Sequence, residues 1–139
     1  MTELAGLVDT VGTEGRGLGV VASDFDGDGL IDIYVANDAV RNFLYHNLGD
    51  GLFRELGGLA GVAYGRDGQK EAGMGVDAGD YDNDGDFDIV VTNFQNEPNS
   101  LYENKGKMLF ANVAFNSGLG LASRRPLGFG TGFVDYDND

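Results

Sequence analysis
The 139-residue sequence has no cysteine and no tryptophan, only two prolines and a single histidine. Without cysteine there is neither a disulfide framework nor a thiolate metal site, and the redox compartment leaves no trace. With no cysteine, no second histidine and no serine placed beside plausible partners, no nucleophilic triad can be assembled. Apolar runs stay at a handful of residues, far below the roughly 20 needed to span a bilayer. Positive charge is scarce as well: 9 Lys and Arg face 23 Asp and Glu, for a formal charge of −14. That balance offers no basic stripe for phosphate, which excludes nucleic-acid binding and disfavours anionic membrane surfaces. Met1-Thr2-Glu3 opens no basic and apolar signal, so the chain reads either as cytosolic or as lacking its native start.

Aspartate and glycine are abundant instead. Of 17 Asp, 12 fall in three clusters at 24–32, 80–88 and 135–139, which leaves 11 acids against 9 bases elsewhere. The acidity is therefore local. The clusters mark a repeat. Gly17-Leu18-Gly19-Val20 and Asp24-Phe25-Asp26-Gly27-Asp28-Gly29 return as Gly73-Met74-Gly75-Val76 and Asp80-Tyr81-Asp82-Asn83-Asp84-Gly85, 56 residues on. A third copy starts at Gly128-Phe129-Gly130-Thr131 and reaches Asp135-Tyr136-Asp137-Asn138-Asp139. Asn42-Phe43-Leu44-Tyr45-His46-Asn47 likewise aligns with Asn99-Ser100-Leu101-Tyr102-Glu103-Asn104, and Leu52-Phe53 with Leu109-Phe110. The chain divides into the end of a preceding unit and a linker (1–16), two complete repeats (17–72 and 73–127) and a truncated third (128–139).

Within a repeat the pattern is β throughout. Ile31, Ile33 and Val35 alternate with Asp32, Tyr34 and Ala36, and Phe87, Ile89 and Val91 do likewise, a period of two. Asn47–Gly51 reads as a hairpin turn. Strands are predicted at 17–23, 31–36, 42–47 and 52–56, then at 73–79, 87–92, 99–104 and 109–113. Four strands per unit of this length predict an all-β fold, a β-propeller fragment of about two and a half four-stranded blades; a sandwich of two duplicated sheets is the alternative. Val20 beside Val21, and Val90 beside Val91, put apolar residues on both sheet faces. The first and last sheets are then expected to expose aliphatic faces.

Asp24, Asp26, Asp28 and Asp32 stand at positions 1, 3, 5 and 9 of a loop whose sixth residue is Gly29; Asp80, Asp82, Asp84 and Asp88 repeat this around Gly85. Alternate carboxylates in a tight loop converge on one hard cation, and position 7 adds a backbone carbonyl from Leu30 or Asp86. Oxygen-only donors favour Ca²⁺ over Zn²⁺. The loop is no EF-hand, because position 12 is Val35 or Val91 inside a predicted strand. An ordinary Asp-Gly turn is the plain alternative. Two complete sites are expected, with a third, at Asp135, Asp137 and Asp139, truncated before its glycine.

These motifs resemble the FG-GAP or VCBS-type repeat found in the propeller of integrin α-subunits and in bacterial secreted proteins. Phe129-Gly130 gives the FG pair literally, where Leu18-Gly19 and Met74-Gly75 stand in the other copies. The long form with Asn-x-Leu-Tyr-x-Asn is most similar to the cartilage acidic protein group. The resemblance implies that the loop joins the first two strands of a blade and that positions 1, 3, 5 and 9, with the position 7 carbonyl, bind Ca²⁺. It further implies an extracellular, periplasmic or cell-surface adhesion or interaction module with a protein or glycan partner, completed by further blades. The propeller part of a larger secreted enzyme, such as a lyase or phospholipase, is the alternative, and a structural surface array a third. No catalytic constellation is present in the sequence. Gly15–Gly19 lacks the spacing of a dinucleotide loop. His46, aligned with Glu103, is expected at a solvated strand position, and Arg124-Arg125 as a solvated pair. Tyr45, Tyr102, Phe53 and Phe110 are expected to pack the blades.

Overall fold
The computed structural model describes residues 15–135 and the two-residue strand Leu7–Val8. After that strand (β1) come β2 (Gly17–Ser23), β3 (Asp32–Asn37), β4 (Phe43–Asn47) and β5 (Phe53–Glu55). The second unit supplies β6 (Gly73–Gly79), β7 (Asp88–Asn93), β8 (Ser100–Asn104) and β9 (Phe110–Asn112). Strands β2 to β5 and β6 to β9 each form an antiparallel meander, and β1 pairs parallel to β5 at the outer edge of the first sheet. Every predicted strand is found within a residue or two of its expected ends. Of the expected unit end at 1–16, residues 1–6 and 9–14 lie outside the described residues.

The second sheet packs on the first through its inner strand, β6 against β2, and one core fills the space between them. Tyr34, Ala36 and Leu44 from the first sheet meet Ile89, Val91, Tyr102 and Phe110 from the second, with Ala60 and Val62 of the connecting segment. These are two consecutive propeller blades. The register explains the packing: β3 alternates buried and half-buried residues, whereas β7 is buried throughout. Strand β7 lies between the first blade and a second cluster in which Val90, Leu101 and Ala114 meet Leu119 and Phe133. The far side of β2 carries Leu18 and Val20, 59% and 67% exposed. Their repeat equivalents, Met74 and Val76, pack toward the first blade.

The Gly-x-Gly motif sets the blade spacing. A Cβ on Gly19 would stand 3.0 Å from Val76 Cγ1 and 3.2 Å from the Met74 carbonyl oxygen; one on Gly75 would stand 2.6 Å from the Phe129 carbonyl oxygen. The same close approach thus occurs twice, once between blades and once between the second blade and the start of the third repeat. Only a residue without a side chain permits it.

Two single-turn helices interrupt the expectation of β structure throughout: α1 (Gly57–Ala60) and α2 (Leu119–Ser123). Neither is long enough to show helical periodicity, and both are held from outside the helix. Glu55 Oε1 accepts from the Gly57 amide at 2.6 Å, and Gly61, in the left-handed region, closes α1 with a bond to the Gly57 carbonyl.

Candidate metal centre
Each aspartate loop connects the first two strands of its blade. Asp24 folds the first loop about itself: Oδ1 accepts from the amides of Gly27 (2.8 Å) and Asp28 (3.2 Å), and Oδ2 from that of Gly29 (2.9 Å). Asp80 does the same in the second through the amides of Asp84 and Gly85. Asp28 and Asp84 each accept from the amide two residues on, that of Leu30 or Asp86. Positions 4 and 6 take positive φ, at Gly27 (74°) and Gly29 (88°) and at Asn83 (61°) and Gly85 (95°). Glycine and asparagine tolerate that conformation best, which explains why these positions read Gly-x-Gly and Asn-x-Gly.

Position 9 is built differently. Asp32 and Asp88 are buried at the start of the second strand. Asp32 accepts from the Phe25 amide through Oδ2 and from the Asn47 amide through Oδ1; Asp88 accepts from Tyr81 and Asn104 in the same way. Each carboxylate therefore clasps its loop to the third strand of its own blade. Carboxylate oxygens of Asp24, Asp26 and Asp28 lie within 4.8 Å of one another, as do those of Asp80, Asp82 and Asp88. Desolvation, and then neighbouring negative charge, raises the pKa of Asp26 and Asp82 above the usual carboxylate range. Asp88 is raised by burial, against the pull of its two amide donors. Acids gathered in this way resist ionising together, and a cation among them removes the penalty.

Residues 24–91 match the FG-GAP-like repeat family, and cartilage acidic protein 1 of Homo sapiens is 35% identical over 113 residues. The chain belongs to the FG-GAP-type repeat family. That alignment covers 79% of the chain and 16% of the human protein. Cartilage acidic protein 1 of Mus musculus is 36% identical over 105 residues, 73% of the chain and 15% of that protein. The chain thus spans about one sixth of the length of these curated relatives.

Within the FG-GAP repeats, the structure brings Asp24, Asp26, Asp28 and Asp32 to one loop and Asp80, Asp82, Asp84 and Asp88 to the other. Leu30 and Asp86 hold position 7 in each. Asp135 is exposed, while Asp137 and Asp139 lie outside the described residues. His46 departs from expectation. It is half-buried against the first loop, with Nδ1 3.0 Å from Asp32 Oδ1 and 3.7 Å from Asp26 Oδ2. Its alignment with Glu103 suggested a surface, but the β3–β4 register turns position 46 toward Asp32. Position 2 of the loop also has a role that the sequence did not reveal. Phe25 is buried, edge-on to Phe110 of the second blade at 6.0 Å.

Away from the loops, Arg124 and Arg125 are exposed as expected, and Arg124 stands at the rim of a cleft of about 300 Å³ with Arg66, Glu97 and Phe115. Glu71, also on its wall, is a buried carboxylate that accepts from Asn93 Nδ2 (2.8 Å), Ser100 Oγ (3.0 Å) and Gln69 Nε2 (3.1 Å). Burial raises its pKa, and these hydrogen bonds oppose the rise.

Proposed function
We infer that each aspartate loop binds one Ca²⁺ and that the ions hold together a propeller used outside the cell as an adhesion or interaction module for a protein or glycan partner. The observation that carries this reading is the gathering of three carboxylates in each of two repeat-related loops, Asp24, Asp26 and Asp28 in one and Asp80, Asp82 and Asp88 in the other, around backbones already folded by their own amide hydrogen bonds. Asp24, Asp26, Asp28 and Asp32, with the Leu30 carbonyl, would hold one ion; Asp80, Asp82, Asp84 and Asp88, with the Asp86 carbonyl, would hold the other. A hard cation with oxygen donors suits both sets. Extracellular modules of this kind bind at about 10⁻⁴–10⁻³ M, which fills them outside cells and leaves them largely empty in cytosol. The ion's part is structural: it offsets repulsion in loops whose position 9 carboxylate also clasps them to the third strand of their blade, and in the first loop Phe25 packs against the second blade as well. Family membership supports this setting.

Thermal unfolding with Ca²⁺ and with excess chelator tests the reading. At a hundredfold excess over its dissociation constant, one ion adds roughly 2.7 kcal/mol. A melting temperature that rises with Ca²⁺ is expected, and identical melting in calcium and chelator would refute metal binding.

A further inference from the structure
The two loops share carboxylates at positions 1, 3, 5 and 9, yet the next strands bring them different neighbours. In the second blade the neighbour is Glu103, whose negative charge reaches Asp82 and which pairs with Lys105. In the first it is His46. Its imidazole comes from β4, outside the loop, and two contacts fix it there: Nδ1 meets Asp32 Oδ1, the same oxygen that accepts from the Asn47 amide. Asp26 Oδ2 stands 3.7 Å from the same nitrogen. One nitrogen and two carboxylate oxygens, from His46, Asp26 and Asp32, thus lie within 4.8 Å of one another. The group that gathers in the second blade, Asp80, Asp82 and Asp88, contains oxygen alone.

This difference in donor type alters which cation each loop prefers. Hard cations take carboxylate and carbonyl oxygen, whereas imidazole nitrogen suits borderline ions such as Zn²⁺ and Co²⁺. We propose that the first loop is also a mixed nitrogen and oxygen metal site, in which His46 Nδ1, Asp26 and Asp32 ligate a divalent cation of the zinc and cobalt class. The second loop, with oxygen donors alone, favours hard cations. The inference rests on the reading that these loops bind cations at all. Asp26 belongs to both clusters of the first blade, so a zinc-class ion competes with Ca²⁺ more strongly there than at the second loop. Nδ1 ligates with the ring proton on Nε2; with the proton on Nδ1, the imidazole only donates to Asp32.

His46 is the sole histidine, so long-range ¹H–¹⁵N spectra of the whole chain report on it without ambiguity. Addition of ZnCl₂ should shift its Nδ1 resonance and saturate at one ion. His46→Glu gives the first loop the donors of the second, and His46→Gln keeps a hydrogen-bond donor without the imidazole. Both should weaken zinc binding roughly tenfold or more while leaving calcium stoichiometry unchanged. An unmoved imidazole at saturating zinc, or undiminished zinc affinity in His46→Gln, would overturn the proposal by leaving His46 a structural role only. Calcium counted on the same samples separates the two readings. Two Ca²⁺ without a zinc effect at His46 removes this inference alone, whereas zinc at His46 without calcium in either loop keeps it and removes the earlier one.

Discussion
Asn104 Nδ2 donates to the Phe25 carbonyl at 2.8 Å, a bond between residues 79 apart that ties the third strand of one blade to the aspartate loop of the one before it. The same amide group donates to the Phe87 carbonyl of its own blade at 3.1 Å. Among the described residues its repeat equivalent, Asn47, donates within its own blade, to Ile31. One buried side chain thus couples loop geometry to blade packing.

Asn104→Ala should therefore cost about 1–3 kcal/mol, because two carbonyls lose a donor in a dry site. Asn47→Ala, at an exposed bond, should cost less. Urea unfolding of the two variants side by side checks the order.

The aromatic at position 2 gives a second contrast. Phe25 is 2% exposed and Tyr81 37% exposed, although the sequence shows an aromatic in both loops. Phe25→Ala opens a cavity between blades and should cost about 3–5 kcal/mol; Tyr81→Ala should stay within about 1 kcal/mol. Equal losses would show that Phe25 does not bear on blade packing.

Gly75→Ala should destabilise by about 1–3 kcal/mol, since the new Cβ meets the Phe129 carbonyl and backbone must shift. Gly58→Ala, with open space around it, is the control and should leave the melting temperature nearly unchanged.

Glu71 supplies a pH dependence away from the loops. Its folded pKa is raised, chiefly by burial, so the folded state holds the proton more tightly than the unfolded chain. Its contribution is then greatest below the unfolded value and is lost as pH rises through the folded one. Glu71→Gln removes that loss, and the Gln69 amide can turn to suit the new side chain. The variant's stability relative to wild type should increase from pH 4 to pH 7 in denaturant titrations; a constant difference would contradict this.

Period-two alternation made the strands legible, because Ile33 and Val35, or Ile89 and Val91, mark one face whatever lies beyond it. The repeat made the carboxylate positions legible for a similar reason: two copies at one offset are hard to produce by turn chemistry alone. What the pattern could not show is which neighbour reaches a loop. His46 and Glu103 look interchangeable in alignment, and only the strand register discloses that position 46 lies against Asp32. Phe25 and Tyr81 look equivalent too, yet among the described residues it is Phe25 that has an aromatic of the following blade, Phe110, beside it. The helices α1 and α2 escaped notice because one turn carries no period; their signals are the left-handed glycines, Gly61 ending the first and Gly118 preceding the second. The identical Asn at 47 and 104 was a usable sign of the loop clasp.

The most direct test of the calcium account counts ions. Calorimetric titration of the whole chain should find two Ca²⁺, and Asp28→Ala and Asp84→Ala should each find one, because each removes a carboxylate that lies in one loop only. Full stoichiometry in both variants, or no bound calcium in the wild-type chain at millimolar concentration, would contradict the assignment of these loops as the metal sites.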